Sequence, residues 1–164
     1  IIHADIKPDN FLLMRVPNVD SPLPSLRLID FGCAIDMTLF PDGEKTKFRK
    51  VVQTDGFTCI EMQEGRSWSY ETDLFCIAAT VHVMLFGDYM QPQKKGSSWE
   101  IRQKLPRYLK KHVWTKFFGD LLNMQADKLP ALHEMRLIFE EEAYRMDSEL
   151  QKQIRTLSNI LHRR

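Results

Sequence analysis

The sequence predicts a mainly α domain, in which a bundle of helices accompanies one short β-hairpin. Three observations support this fold class. From residue 73 onward, apolar residues recur at helical spacing. Before that point, two short apolar runs, 11–14 and 26–29, flank a polar and proline-rich stretch, which is typical of a hairpin with a long connection. The length of 164 residues leaves room for about one domain.

The composition limits the class of protein. Apolar residues make up 43% of the chain and charged residues 27%, as in soluble globular proteins, which argues against collagen-like, disordered and disulfide-scaffold classes. The formal net charge of +1 argues against nucleic-acid binding by bulk electrostatics. No apolar run approaches the ~20 residues that span a bilayer, so we expect no membrane partner. Three widely spaced cysteines without a C-x-x-C pair predict reduced thiols in the cytosol or nucleus.

Each predicted element has its own signal. Residues 33–60 show no clean period and predict an extended segment. The stretch 74–86 is apolar nearly all round, which predicts a buried helix. Thr72 is its expected N-cap and Gly87 its expected end.

Three further helices are predicted downstream, at 113–122, 132–146 and 150–161, the last preceded by a sequence typical of a capping box that starts at Ser148. Because heptads are few, we expect ordinary packing helices and not a coiled coil.

The most informative motif occupies residues 3–10 and has the form H-x-D-x-K-P-x-N. The tripeptide D-F-G follows at 30–32, after the second apolar run. In this order, and with strands between them, the two motifs resemble the signatures of protein kinases. Either motif alone would be a weaker indication.

This resemblance implies a role for each polar residue. Phosphoryl transfer depends on positioning and on charge neutralisation. Asp5 would orient the attacking hydroxyl and accept its proton, and Lys7 would offset charge near the γ-phosphate of ATP. Asn10 and Asp30 would bind Mg²⁺ through hard oxygen ligands. Gly32 would let the backbone turn sharply after the metal ligand.

The chain as a whole is similar to the C-terminal lobe of a eukaryotic-type protein kinase. The implied divisions are a catalytic loop and D-F-G segment at 1–32, an activation segment at 33–61 and a helical subdomain at 72–164. The sequence has no G-x-G-x-x-G and no V-A-I-K. We therefore expect a fragment whose N-terminal lobe is missing, with weak ATP affinity and no useful kinase activity by itself.

Other residues match further positions of the family. Lys7 followed by Pro8 resembles serine/threonine-specific members. Thr54 and Glu61 match the end of the activation segment, where the Thr touches the catalytic Asp and Lys and the Glu belongs to A-P-E. Asp73 matches the carboxylate that anchors the backbone of the catalytic loop.

His3 is structural in the family, so we assign it no catalytic role. A histidine at this position, taken alone, is more often a satisfied core residue. Arg136 is a candidate ion-pair partner for Glu61.

The subfamily most similar to the chain is the Bub-type mitotic checkpoint kinases. The residues that carry this resemblance are 3–11, 35–41, 56–57, 84–87 and 114–118, and Gly56 belongs to the substrate-facing end of the activation segment. The resemblance implies a spindle-checkpoint kinase that uses ATP and Mg²⁺. It implies action at kinetochores on serine or threonine of protein substrates, with a histone tail among them. Kinetochore and checkpoint partners would bind segments outside this fragment, and the expected locations are the nucleus, mitotic chromosomes and cytoplasm.

One departure from the family concerns regulation. Ala4 stands where most regulated kinases place an Arg that pairs with a phosphorylated activation loop. We therefore expect that loop phosphorylation is not the main activating switch.

Two alternatives remain open at this stage. One is a pseudokinase that serves as a scaffold in checkpoint complexes, although all four polar residues of the motifs are retained. The other is a small-molecule phosphotransferase of the aminoglycoside or choline kinase type, which shares parts of both motifs but lacks counterparts of Lys7-Pro8, Thr54 with Glu61, and Asp73.

Two basic stretches lie outside the motifs, one at 45–50 and one divided between 94–95 and 104–111. We interpret both as solvated faces.

Overall fold

The computed structural model describes residues 1–15, 25–51, 55–107, 109–124, 132–144 and 148–161. Their strands and longer helices, in chain order, are β1 (Phe11–Arg15), β2 (Ser25–Leu28), α1 (Ile60–Gln63), α2 (Glu71–Phe86), β3 (Pro92–Lys95), β4 (Ser98–Ile101), α3 (Lys111–Leu122), α4 (Leu132–Tyr144) and α5 (Ser148–Leu161). None of the described helices is both long enough and apolar enough to cross a membrane.

The chain forms two compact units. The first contains residues 1–10 and 30–132, and the second contains 11–29 and 133–164. In the second unit, β1 and β2 are antiparallel, with Phe11 opposite Leu28, which confirms the predicted hairpin. The predicted helices at 132–146 and 150–161 are confirmed as α4 and α5 over their described residues.

Half of the residues of helix α2 are buried in the first unit, as its apolar sequence predicts, but Met84 near its end is 71% exposed. It ends at Gly87, which has a left-handed φ of 71° and donates its N–H to the carbonyl of Val83. The predicted N-cap at Thr72 is wrong, because Thr72 lies inside the first turn and donates its N–H to the carbonyl of Ser69. The carboxylate of Glu71 accepts the N–H of Ser69 at 2.7 Å, so an acidic side chain stabilises the start of the helix.

Helix α3 confirms the prediction for 113–122 and begins slightly earlier, at Lys111. It packs against α2, with the ring of Phe118 lying 6.1 Å from that of His82. Both side chains are fully buried.

Residues 33–60 are only partly extended, so that prediction is wrong in detail. Single turns of 3-10 helix at Phe31–Cys33, Met37–Leu39 and Gly43–Lys45 interrupt the segment. One cause is local: the Asp36 side chain accepts hydrogen bonds from both the N–H and the hydroxyl of Thr38, which turns the chain. Isolated bridges of Ile35 to Ile2 and of Phe48 to Trp68 hold the segment against the rest of the unit.

The β3–β4 hairpin has no counterpart among the predicted elements. Its two-residue connection, Gly96 and Ser97, places Gly96 at a φ of 62°. A glycine-serine dipeptide between two short runs is a known hairpin signal, but the polar strands around it show no apolar alternation.

Candidate active site

The backbone of residues 3 and 4 is held by one partly buried carboxylate. The N–H groups of His3 and Ala4 donate to the two oxygens of Asp73, at 2.7 and 2.8 Å. Ala4 has a left-handed φ of 62°, a conformation that costs a non-glycine residue about 1–2 kcal/mol. Burial raises the pKa of the Asp73 carboxyl, and the two N–H donors oppose that rise. Because Asp73 belongs to α2, the loop before Asp5 is fixed to the most buried helix.

Asp5 is surrounded by donors. The ammonium of Lys7 lies 3.1 and 2.9 Å from its two carboxylate oxygens. The side-chain amide of Asn10 donates to the Asp5 carbonyl at 2.8 Å and to its carboxylate at 3.1 Å. The hydrogen bond with Asp5 raises the pKa of Lys7, and the charges of Asp5, Asp9 and Asp30 raise it further, although desolvation opposes the rise. Lys7 is therefore a cation at neutral pH.

Asp30 lies in the same unit and close enough to Lys7 for its charge to act on the ammonium. Its neighbour Phe31 packs edge-on against the ring of His3, with ring centres 4.8 Å apart. An isolated antiparallel β-bridge between Ile2 and Ile35 also holds the residues before Asp5 beside the residues that follow D-F-G. The structure thus brings His3, Asp5, Lys7, Asn10 and Asp30 into one region.

The sharp turn in D-F-G occurs at a residue other than the one expected. Asp30 has the left-handed φ, 61°, and its carboxylate accepts the N–H of Gly32 at 3.3 Å. A Cβ on Gly32 would lie 3.2 Å from that same carboxylate oxygen. Gly32 therefore leaves room for the Asp30 side chain and does not itself supply the turn.

The donor set fits a magnesium ion that is bound together with a nucleotide. The amide nitrogen of Asn10 is engaged with Asp5, which leaves its amide oxygen as the acceptor. One carboxylate oxygen of Asp30 accepts from Gly32, and the other has no partner among the described residues. One carboxylate and one amide oxygen, completed by phosphate oxygens and water, is the kind of set that Mg²⁺ takes in nucleotide sites.

The end of the activation segment is only partly described, since Thr54 lies outside the described residues. Gly56 has a φ of 77°, and a Cβ there would come within 2.6 Å of the Tyr89 ring. Gly56 lines a cleft of about 440 Å³ together with Thr58 and Met62.

Glu61 has an ion-pair partner that sequence reasoning missed. Arg66 lies 3.4 Å from the Glu61 carboxylate and 2.7 Å from that of Glu64. Arg136, the candidate named from the sequence, pairs with Glu140 within α4 at 2.7 Å. The available signal was the spacing: Arg66 lies five residues after Glu61, just beyond the short helix α1 that contains Glu61.

Comparison with known proteins agrees with this geometry. The protein kinase domain family matches residues 1–159. The mitotic checkpoint serine/threonine-protein kinase BUB1 of Mus musculus is 38% identical over 165 residues, which cover 98% of this chain and 15% of that protein. The spindle assembly checkpoint kinases BUB1 of Saccharomyces cerevisiae and bub1 of Schizosaccharomyces pombe are each 37% identical, covering 75% and 93% of this chain and 13% and 15% of those proteins.

The fold has a solved counterpart. The crystal structure of the BubR1 kinase domain is similar with a TM-score of 0.86 and 39% identity, covering 98% of this chain and 48% of that one. The predicted fold class, a mainly α lobe of protein-kinase type with a short hairpin, is confirmed. The chain spans about half of that structure and a small part of each curated relative.

Proposed function

Because the chain belongs to the protein kinase family, we propose that it carries the catalytic and metal-binding loops of a serine/threonine kinase of the mitotic spindle checkpoint. The reaction is transfer of the γ-phosphate of ATP to a hydroxyl of a protein substrate. One observation carries the proposal: Asp5 is oriented by Lys7 and Asn10 at hydrogen-bond distance, and Asp30 lies close enough to act on the same lysine.

Asp5 is the proposed proton acceptor. Its carboxylate is about one-eighth exposed, at 12%, so an incoming hydroxyl can reach it while its rotamer stays restrained by two donors. Those donors stabilise the carboxylate, since hydrogen bonds to the charged form favour that form. A positioned base of this kind contributes roughly 10²–10⁴-fold to a rate.

Lys7 and the two oxygen ligands serve the phosphate. Lys7 remains a cation and can move from Asp5 towards a transferring phosphoryl group, because its side chain is 24% exposed. Asn10 and Asp30 would hold Mg²⁺, which when bound neutralises charge on the phosphates and orients them for in-line attack. Asp73 takes no part in the chemistry and positions the loop through its two N–H contacts.

The wider biological assignment is supported by the names of the relatives. Several are mitotic or spindle checkpoint kinases. We propose the division into catalytic loop and D-F-G (1–32), activation segment (33–61) and helical subdomain (72–164). We also propose that the substrates are proteins, a histone tail among them. The protein would act at kinetochores in mitosis, with nuclear and cytoplasmic pools, and its checkpoint partners would bind outside this chain.

The test is phosphorylation of purified core histones and of the protein itself by the full-length protein, with labelled ATP and Mg²⁺. We expect Asp5→Asn to reduce the rate by about 10²-fold or more, since the amide cannot accept the proton. Asp9→Asn is the matched control, a carboxylate in the same segment that belongs to no proposed contact with substrate, and it should stay within about twofold of wild type.

Two outcomes would contradict the proposal. An Asp5→Asn variant as active as wild type would remove the assigned base. A folded full-length protein that transfers no phosphate to protein would instead support a scaffold, and transfer only to an aminoglycoside or choline would support a small-molecule phosphotransferase.

A further inference from the structure

The β3–β4 hairpin and helix α3 enclose a cleft of about 730 Å³ in the first unit, and none of the proposed phosphotransfer residues lines it. The cleft is preformed, because one side chain ties the hairpin to the end of α3. Asn123 accepts the N–H of Trp99 at 2.6 Å, and its amide donates to the carbonyls of Trp99 and Gly119, each at 2.8 Å.

The lining of this cleft is strongly cationic. It holds four cations, Lys95, Arg102, Lys104 and Lys111, and a single carboxylate, Glu100, which lies 3.5 Å from Lys95. Within the described part of the chain, Lys104 and Lys111 make no ion pair. Since the whole chain carries a formal net charge of only +1, this positive charge is a local feature.

Gly119 leaves the wall of the cleft open. It lies inside α3, and a Cβ built there would meet nothing within 4 Å. A glycine inside a helix costs about 1 kcal/mol of stability relative to alanine. Because no neighbouring atom excludes a side chain at position 119, local packing does not explain why a glycine stands there. The neighbouring lining residue Trp99, which is half-buried, adds apolar surface beside the open space.

We propose that this cleft binds an acidic segment, rich in Asp and Glu, of a partner protein. The carboxylates of the segment would face Lys104 and Lys111, and its backbone would pass over Gly119 beside Trp99. Charge complementarity of this kind steers association and sets orientation more than it sets the final affinity. The site is independent of phosphoryl transfer.

An acidic peptide fits this cleft better than a nucleic acid does. Nucleic-acid binding is carried by a track of Lys and Arg along many phosphates, together with a high overall charge. Here the cations surround a single cleft on a protein with almost no net charge.

The experiment measures binding of a fluorescein-labelled twelve-residue peptide of alternating Glu and Asp to the full-length protein by fluorescence anisotropy. We expect Lys104→Glu/Lys111→Glu to weaken binding by about tenfold or more. Gly119→Leu, which fills the open space, should weaken it by about fivefold at unchanged phosphorylation activity. Lys152→Glu/Arg155→Glu on the exposed face of α5 is the control with the same change of net charge, and it should stay within about twofold.

Other results would overturn the proposal. No binding of the acidic peptide to wild type, or equal weakening by the two charge-reversal pairs, would exclude a specific site. Tighter binding of a duplex DNA with the same dependence on Lys104 and Lys111 would assign the cleft to nucleic acid instead. If Gly119→Leu fails to fold, the charge-reversal pair decides alone, because both lysines are exposed.

Discussion

Ala4 combines a buried methyl group with a left-handed backbone, and both properties bear on regulation. Its φ of 62° is imposed where Asp73 holds the N–H groups of residues 3 and 4, so the position serves the geometry of the loop. An alanine has no guanidinium with which to bind a phosphorylated side chain. At the residue scale, the restraint on Asp5 comes from Lys7 and Asn10, which are in place without any modification.

The first prediction concerns the threonines of the activation segment. Full-length variants Thr38→Ala, Thr46→Ala and Thr58→Ala should each keep phosphorylation rates within about threefold of wild type, because Ala4 supplies no cation to bind a phosphorylated side chain. The Thr38 hydroxyl already donates to Asp36 at 2.7 Å, which is a local capping contact. A rate that collapses in Thr38→Ala or Thr46→Ala and returns with Glu at the same position would contradict this.

At the scale of elements, the contact between the activation segment and the segment that follows α2 depends on one glycine. Gly56→Ala should unfold the segment locally and destabilise the protein by about 2 kcal/mol or more, since the new Cβ would lie 2.6 Å from the Tyr89 ring at a φ of 77°. Gly65→Ala is the matched control: its φ of 67° carries the same backbone strain, but a Cβ there meets nothing within 4 Å.

Thermal melts of the two variants separate steric crowding from backbone strain. Removing the ring in Gly56→Ala/Tyr89→Ala should recover part of the loss. Equal melting shifts for Gly56→Ala and Gly65→Ala would show that the Tyr89 contact is unimportant.

Two of the three thiols are buried: Cys76 lies in α2 and Cys59 directly precedes α1. The third, Cys33, directly follows D-F-G. Burial raises the pKa of Cys59 to about 11 and also raises that of Cys76, so both stay protonated at pH 8. Cys33 is exposed. Iodoacetamide at pH 8 should therefore label Cys33 in the native protein and the other two only after denaturation, because the thiolate is the nucleophile.

Mass spectrometry of the labelled peptides checks this prediction, and Cys33→Ser should abolish labelling of the three positions 33, 59 and 76 in the native protein. Rapid native labelling of Cys59 or Cys76 would show that the core around α2 opens readily.

Sequence patterns predict the elements whose signal is carried by many residues. The continuous apolar character of α2 reflects the burial of half of its residues. The runs of β1 and β2 were recognised as two short apolar segments around a polar, proline-rich stretch, although Leu12, Leu13 and Leu26 are exposed in the structure. The Thr72 cap failed because Glu71 and Ser69 form the first turn through a single local hydrogen bond. The β3–β4 hairpin was missed because polar strands on a surface leave no periodic trace.

The residues of the candidate site likewise fall into those that the sequence predicts and those whose roles appear only in the structure. The motifs name Asp5, Lys7, Asn10 and Asp30, because each role needs a particular side-chain chemistry. The roles of Gly32 and Arg66 follow from local contacts, a crowded carboxylate for Gly32 and an ion pair for Arg66. The kinase motifs in the sequence do not report these contacts.

At the scale of the whole molecule, the chain covers 48% of the BubR1 kinase domain to which it is similar. Large apolar side chains stay exposed in it, including Phe31 at 58% and Leu26 at 53%, as expected of surfaces that other residues would cover. We expect this chain alone to show no phosphorylation above background, because the glycine-rich loop and strand lysine of the family are not in its sequence. Activity of the isolated chain that Asp5→Asn abolishes would contradict this.

The central claim is that Asn10 and Asp30 present their oxygens to one magnesium-bound nucleotide beside Asp5. The most direct measurement is ATP affinity of the full-length protein with and without Mg²⁺, by titration calorimetry. We predict that Mg²⁺ strengthens ATP binding by about tenfold or more in wild type, and that this gain is lost in Asp30→Ala and reduced in Asn10→Ala. The control is Asp42→Ala, which removes an exposed carboxylate that makes no capping hydrogen bond and should keep the full gain. A gain that persists undiminished in Asp30→Ala would contradict the account.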